Sequence, residues 1–291
     1  MLSLHTNNAA LAAQNALSST QNRLSTSMTR LSTGYRINSA MDDAAGLQIA
    51  TRLKAQTSGM AVAMRNTQNS TSMLQTAEGA LNEVNNMLVR MKDLATQAFD
   101  ASSTDDDKTA MQAEYDNLGK EIKNILENTK FGGKALLKDG TIASEMTFQI
   151  GAGSDETMSL DLSAKMNSTS GTAMTQLGDV STFLAATAGT AAAGTELSGT
   201  DNGVIDDITD AIDNISEIRS SLGAAANRLD HVYNNLSNIS SNTQSATGRI
   251  MDVDFAQESA NMTSNQMLLQ AGTAMLKQTN SMSSMVMSLL Q

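Results

Sequence analysis

The side chains that most often carry chemistry are scarce in this sequence and lie far apart. It has two histidines, His5 and His231, and no cysteine. A histidine triad, a thiolate nucleophile or a cysteine-ligated metal site is therefore not expected. No HExxH motif or phosphate-binding glycine-rich motif occurs either. We predict that the protein is not an enzyme and has no catalytic, cofactor-binding or metal-binding residues.

Consecutive aspartates are the remaining candidates for cation ligands. Asp105, Asp106 and Asp107 follow residues 102–104, which are Ser-Ser-Thr. Three adjacent acids cannot share one face of a helix, whereas hydroxyl residues followed by acids are typical of a helix N terminus. We interpret this run, and likewise residues 42–43, as helix starts.

Composition limits the classes of partner and of fold. The net charge of −11 disfavours nucleic acid and anionic membrane surfaces as partners. No run reaches the roughly 18 apolar residues of a spanning helix, and the N terminus lacks the basic region of a signal peptide. Aromatic residues make up 3% of the chain, and there is no proline. This composition favours long helices over a compact aromatic core.

The two ends of the chain share a helical spacing of apolar residues and very few charges. Residues 1–22 contain no Lys, Arg, Asp or Glu, and Lys277 is the only charged residue after Glu258. Three-four spacing is the pattern of a helix that packs on a partner helix, although a methionine-rich face can also bind varied partners. We predict that the two ends pair through a seam of Leu4, Leu11, Leu17, Leu24, Leu31, Leu268, Met275, Met282, Val286 and Leu289.

The middle of the chain predicts three further helices and one β-hairpin. The first helix is predicted over about 44–98, with apolar residues every three or four positions in its second half, and the same spacing predicts helices over about 105–130 and 204–248. Two alternating runs around residues 151–155 predict the hairpin, and the glycines of 131–133 (FGG) are interpreted as the C terminus of the second of these helices.

These elements predict a mainly α fold, an elongated, long antiparallel helical coiled-coil bundle with a small β-hairpin region and its termini paired at one end. The predicted parts are a discontinuous terminal helical domain (1–33 plus 255–291), connectors (34–46 and 248–254), a helical domain (47–165 plus 204–247) with the hairpin at about 141–165, and a short low-complexity insertion (166–203).

Several ordered sequence motifs carry a family resemblance. They are 31–46 (LSTGYRINSAMDDAAG), 76–81 (TAEGAL), 128–133 (NTKFGG), 148–152 (FQIGA), 249–256 (RIMDVDFA), 270–273 (QAGT) and the Leu-Leu ending at 289–290. In this order they resemble the bacterial flagellins over about 1–165 and 204–291. The chain is similar to a short flagellin with a minimal variable region at 166–203.

The resemblance implies a structural subunit that polymerises into the bacterial flagellar filament for swimming motility. It implies that the paired termini form an inner tube, and that the long helices and the hairpin form an outer tube. A secreted protein, exported unfolded through the flagellar type III channel, is implied as well. The implied partners are other flagellin subunits, an export chaperone, the filament cap protein and hook–junction proteins.

Recognition of some flagellins by a host Toll-like receptor is also implied. The matching positions are Arg90, Leu94 and Gln97 on the long helix, with Glu114 on the next helix. An exposed helix face used for subunit contacts accounts for the same residues. One departure from the family pattern lies at 281–285 (SMSSM), where proline often stands in flagellins.

Three other classes of protein are alternatives. A hook–filament junction protein is also exported and shares the terminal helices, but the FGG turn and the hairpin motif favour flagellin. A flagellin-like protease is disfavoured by the missing HExxH motif. A secreted coiled-coil protein such as an adhesin would not need both of its ends to be uncharged.

Overall fold

A computed structural model of the chain describes residues 7–138, 140–166, 196–197 and 203–289, with side chains as far as residue 281. The predicted mainly α fold is confirmed. The elements in chain order are α1 (Asn8–Thr33), α2 (Ala44–Ala98), α3 (Asp105–Asn128), β1 (Lys130–Phe131), β2 (Lys134–Ala135), a 3-10 turn (Thr141–Ala143), β3 (Met146–Gln149), β4 (Thr157–Leu160), α4 (Ser163–Met166), α5 (Gly203–Met251) and α6 (Phe255–Leu289). Within these described ranges, no helix has both the length and the apolar character needed to cross a membrane.

The chain divides into two compact units. The first consists of Met1–Thr57 and Ser241–Gln291, and the second of Ser58–Ser240. The first unit is larger than the predicted terminal domain, because it also takes in the connectors and the neighbouring turns of α2 and α5.

In the first unit, α1 and α6 pack against each other in antiparallel directions. The Asn7 side-chain amide donates to the Thr279 carbonyl oxygen at 3.5 Å at one end of the pair. Arg30 lies 3.9 Å from the Glu258 carboxylate at the other end. The predicted pairing of the two ends of the chain is therefore confirmed.

Helix α1 is closed at both ends by local features of the sequence. The Asn7 side chain accepts a hydrogen bond from the Ala10 amide at 3.1 Å, which satisfies one of the free donors of the first turn. At the other end Gly34 has φ +77°, and its amide donates to the Arg30 carbonyl. Glycine takes this left-handed conformation without steric cost and ends the helix.

The second unit encloses one continuous apolar core. Side chains from α2, α3, α5 and the β3–β4 hairpin contribute to it. The two long helices, α2 and α5, and the hairpin therefore pack together in a single apolar cluster. Its fully buried large members include Leu74, Leu81, Leu88, Met91, Tyr115, Ile122, Leu126, Ile215, Ile218 and Leu222.

The predicted β3–β4 hairpin is confirmed, with Met146 opposite Leu160 and Gln149 opposite Thr157. The predicted role of the FGG glycines is wrong. Helix α3 ends on the extended residue Thr129, while Gly132 and Gly133 have φ +58° and +84° and form the turn between β1 and β2. A two-residue hairpin turn of this kind needs positive φ at both positions.

The predicted insertion at 166–203 lies almost entirely outside the described residues. Of its interior the structure describes Glu196 and Leu197. Leu197 is fully buried, and its amide donates to the Gln112 side-chain oxygen at 2.8 Å. The Gln112 side-chain amide donates to the Glu196 carboxylate at 2.6 Å. Helix α3 therefore holds this short piece of the insertion against the core of the second unit.

Candidate functional site

The contact between α1 and α6 is narrow and built largely from small and polar side chains. The helices lie close together at Gly272, where an added Cβ would lie 2.9 Å from the Leu17 Cδ1 atom. Glycine at this position allows Leu17 to lie directly on the α6 backbone. The positions that lose solvent exposure are Ala10, Ala13, Leu17, Thr20, Leu24, Ser27 and Leu31 on α1, and Glu258, Met262, Asn265, Leu269, Gly272, Leu276 and Thr279 on α6.

Three residues of the predicted seam do not pack between the helices. Leu11 and Leu268 are each 55% exposed, and Met275 is 63% exposed. On α6 the residues that face α1 are instead Leu269 and Leu276, one position later. A one-residue step turns the side chain by about 100° around the helix axis, so the predicted intrachain packing of these three residues is wrong. Their part in polymerisation stays a prediction.

The other members of the predicted seam fall into two groups. Leu17, Leu24 and Leu31 lie in the α1–α6 contact. Leu4 lies outside the described residues, as do the side chains of Met282, Val286 and Leu289.

The outward surface of the helix pair is apolar at several points and poor in charge. Its exposed large apolar side chains are Leu11 and Met28 on α1, and Phe255, Met267, Leu268 and Met275 on α6. Leu268 and Met275 are seven residues apart, which places them on the same side of α6. Exposed apolar side chains with so few charges around them are typical of a surface that another protein covers.

A small group of charges lies where α1 and α6 meet the connectors. Arg30 is 3.9 Å from the Asp42 carboxylate and 3.9 Å from the Glu258 carboxylate, whose side chain is only 10% exposed. Backbone hydrogen bonds from Ser39 and Asn38 hold the pKa of Asp42 below its ordinary value, with a smaller effect of the Arg30 charge. The arginine thus compensates the nearly buried Glu258 and helps to fix the turn before α2.

The two predicted connectors pair with each other through their backbones. The Arg36 amide donates to the Met251 carbonyl at 2.6 Å, and the Val253 amide donates to the Gly34 carbonyl at 3.0 Å. The Arg36 guanidinium also donates to the Ile250 carbonyl at 2.8 Å. This pairing joins segments more than 200 residues apart, and sequence reasoning missed it because no local pattern reports it.

The predicted receptor-binding residues do not form one exposed face. Arg90 and Glu114 are exposed and form an ion pair of 2.8 Å, and Gln97 is exposed as well. Leu94 is only 3% exposed and belongs to the core of the second unit. It lies three residues after Met91 on the buried stripe of α2, so its predicted exposure is wrong.

The aspartates at 105–107 start a helix, as predicted. The Thr104 hydroxyl accepts from the Asp107 amide at 3.3 Å, and the Asp107 carboxylate accepts from the Thr104 amide at 3.1 Å. The hydrogen bonds from Thr104, above all from its hydroxyl, lower the pKa of Asp107. In the part of the chain that the structure describes, no group of three His, Cys, Asp or Glu side chains is arranged to hold a metal ion.

Comparison with known proteins gives a consistent family. Residues 4–141 match the family model of the bacterial flagellin N-terminal helical region, and residues 205–290 match that of the bacterial flagellin C-terminal helical region. A flagellin of Halalkalibacterium halodurans is 39% identical over 260 residues, covering 89% of this chain and 88% of the relative. A Bacillus subtilis flagellin is 37% identical, covering 89% and 90% of the two chains.

Among solved structures, one example shares the fold. It is that of a Vibrio parahaemolyticus protein assigned to the flagellar hook-associated class, with a TM-score of 0.55 and 17% sequence identity. The match covers 72% of this chain and all of the other.

Proposed function

The chain belongs to the bacterial flagellin family, and on that premise we propose that α1 and α6 hold its copies together in the flagellar filament. As a flagellin, it is a structural subunit of the extracellular filament that serves motility. What remains to be assigned is which of its surfaces join the subunits.

The observation that carries the proposal is the outward surface of the helix pair. Leu268 and Met275 are mostly exposed in the single chain, and burial of such a side chain is worth about 1.5–3 kcal/mol. Because the same surface carries few charges, little desolvation of ions would oppose its burial. Repeated contacts between identical copies accumulate these contributions along a helical polymer.

The family pattern suggests how the segments are layered in the filament. We assign residues 1–33 and 255–291 to an inner tube and residues 47–165 and 204–247 to an outer tube. The paired connectors, 34–46 and 248–254, then join the two layers, and 166–203 is a short variable insertion.

Further partners follow from the family and from the same surfaces. An export chaperone would bind α6 before assembly, because the exposed apolar side chains of that helix need cover in the free chain. The filament cap protein and hook–junction proteins would contact the subunit at the filament ends, after export in an unfolded state through the type III channel. For a Toll-like receptor, Arg90, Gln97 and Glu114 are available on the surface, whereas buried Leu94 would act only through packing.

A hook–filament junction protein is the second candidate, because the similar solved structure belongs to a hook-associated protein. The two functions differ in assembly behaviour, since a junction protein would not extend into long filaments by itself.

The test is polymerisation of the purified chain. The chain is incubated with short filament seeds or with a precipitating salt and examined by electron microscopy. We expect long helical filaments, and we expect deletion of 1–33 or of 255–291 to abolish them while the second unit stays folded. Growth of filaments after either deletion would contradict the assignment of the subunit contacts to α1 and α6.

A further inference from the structure

The sulfur chemistry of this chain depends entirely on methionine. The sequence holds 20 methionines and no cysteine. Among the described side chains, buried methionines include Met60, Met91 and Met158, which are at most 3% exposed. Four others are largely open to solvent: Met28 at 56%, Met41 at 96%, Met267 at 60% and Met275 at 63%.

All four exposed methionines lie in the first unit. Met28 is on α1, Met267 and Met275 are on α6, and Met41 is in the turn that precedes α2. Met275 lies on the same side of α6 as Leu268. Met28, Met267 and Met275 are thus part of the apolar, charge-poor surface to which subunit contacts are assigned, whereas Met41 lies beside Asp42 in the turn before α2.

We propose that Met28, Met41, Met267 and Met275 are oxidation sites, and that their conversion to the sulfoxide in the free subunit prevents its addition to the filament. This inference rests on the proposed function, because it requires α1 and α6 to provide the subunit contacts.

The reaction requires a peroxide, either hydrogen peroxide or an organic hydroperoxide. The thioether sulfur attacks one peroxide oxygen, so that a sulfur–oxygen bond forms and the oxygen–oxygen bond breaks. The sulfur gives up two electrons, and the leaving oxygen takes up a proton and departs as water or as an alcohol. The product is methionine sulfoxide, which a methionine sulfoxide reductase returns to the thioether at the expense of a dithiol.

Oxidation changes the contact surface from apolar to polar. A sulfoxide oxygen is a strong hydrogen-bond acceptor, and burial without a donor carries a desolvation cost. The surface of α1 and α6 is apolar at Met28, Met267 and Met275, so each new oxygen there would enter the subunit contact without a designed partner. Leu11 and Leu268 lie on the same surface but do not react with peroxide. The methionines are therefore the positions at which peroxide changes this surface.

The same geometry distinguishes the free subunit from the filament. Side chains that neighbouring copies cover are shielded from peroxide, whereas those of the free subunit are open. Peroxide is therefore expected to stop growth while leaving existing filaments intact.

The experiment compares polymerisation of the full chain before and after mild peroxide treatment, with the extent of oxidation at each methionine read by peptide mass spectrometry. We expect the four exposed methionines to oxidise before Met60, Met91 and Met158, and the critical concentration for filament growth to rise roughly tenfold or more. Treatment with methionine sulfoxide reductases and a dithiol should restore growth. Unchanged growth of the oxidised chain, or loss that the reductases fail to reverse, would overturn the inference.

Two variants locate the effect. A variant carrying M28L, M41L, M267L and M275L should show the same filament growth with and without peroxide treatment, because leucine does not react. The matched control, M60L with M158L, should remain sensitive. If the fourfold variant loses growth on oxidation as the unaltered chain does, other methionines are responsible and the inference is wrong. If the untreated, unaltered chain forms no filaments at all, it is the proposed function that fails.

Discussion

At the residue scale, Gly34 shows how one backbone position determines the end of α1. Its φ of +77° is in the left-handed region, which costs a residue with a side chain about 1–2 kcal/mol. We predict that Gly34→Ala destabilises the last turn of α1 by that amount, measured as faster amide hydrogen exchange there.

Gly79 provides the matched control for this substitution. It lies inside α2, and an added Cβ would meet nothing within 4 Å. Gly79→Ala should therefore slow exchange in α2 and stabilise it by about 0.5–1 kcal/mol. Equal effects at the two glycines would show that the left-handed conformation at Gly34 does not determine the helix end.

The carboxylates that cap turns and helices give the protein a predictable response to acid. Hydrogen bonds lower the pKa values of Asp42, Asp107 and Asp161 below the ordinary value of 3.8. A group with a depressed pKa in the folded state stabilises the fold fully above its unfolded pKa, and this contribution disappears as pH falls through the folded value. We predict that the free energy of unfolding falls with pH below about 3.8.

Asp107→Asn should make that loss of stability on acidification shallower, because the depressed carboxylate is then missing. The control Asp106→Asn removes the same formal charge from the same helix turn and leaves the Thr104 contacts intact. Urea unfolding at several values between about pH 5 and pH 2.5 would measure both. The prediction fails if the two variants have the same pH dependence.

Residue roles were predictable where the signal was local. The aspartates at 105–107 start a helix because the hydroxyl residue and the acids that make the capping box are neighbours in the sequence. The burial of Leu94 was not predictable in this way, since the width of the buried stripe on α2 depends on the elements that pack around it. The pairing of Arg36 with Ile250 and Met251 was likewise invisible, because it joins distant segments.

At the element scale, the neighbouring leucines of α6 separate intrachain pairing from assembly. Leu269 faces α1, and Leu268 faces outward. We predict that Leu269→Asp unpairs α1 and α6, because a carboxylate without a partner would enter their contact. It should lower the helix content seen by circular dichroism and abolish filament growth.

The outward neighbour should behave differently. Leu268→Asp should keep the helix content and the α1–α6 pairing, yet raise the critical concentration for growth by about tenfold or more, because the charge would lie only between subunits. Normal polymerisation of this variant would contradict the assignment of the outward surface to subunit contacts.

The bounds of the helices were predictable from the periodicity of apolar residues. Which face of α6 packs on α1 was not. No proline interrupts residues 44–98, the three-four pattern is clear from residue 74 onward, and α2 has the predicted bounds. On α6, however, residues 268 and 275 and residues 269 and 276 are both apolar pairs seven apart. The sequence does not decide which pair faces α1. The glycines at 132–133 posed a similar choice, because a helix end and a tight hairpin turn both favour glycine.

At the scale of the whole molecule, the two units differ in how much apolar surface they bury. Among the described side chains of the first unit, the buried apolar ones are Ile37, Ala50 and Val253, whereas the second unit contains the continuous core. We predict two thermal transitions in the free subunit, with the first unit unfolding at the lower temperature. Calorimetry of the free subunit would measure this, and a single cooperative transition would contradict it.

Polymerisation should remove the difference between the transitions. If neighbouring copies cover α1 and α6, the low-temperature transition should shift upward in filaments towards that of the second unit. The fold class and the pairing of the ends were predictable, because uncharged helical segments at both ends of a chain need burial. The division near residues 57 and 240 was not, since it reflects packing density and has no marker in the sequence.

The hydrogen bond from Asn7 to Thr279 spans 272 positions of the chain, and this separation sets an order of events. A chain delivered from its N terminus presents α1 first, but the partner of α1 is the last helix to arrive. Contacts between such distant segments form late, because their loop-closure entropy must be overcome first. If α1 and α6 provide the subunit contacts, as proposed, that contact surface is complete only once the whole chain has been delivered.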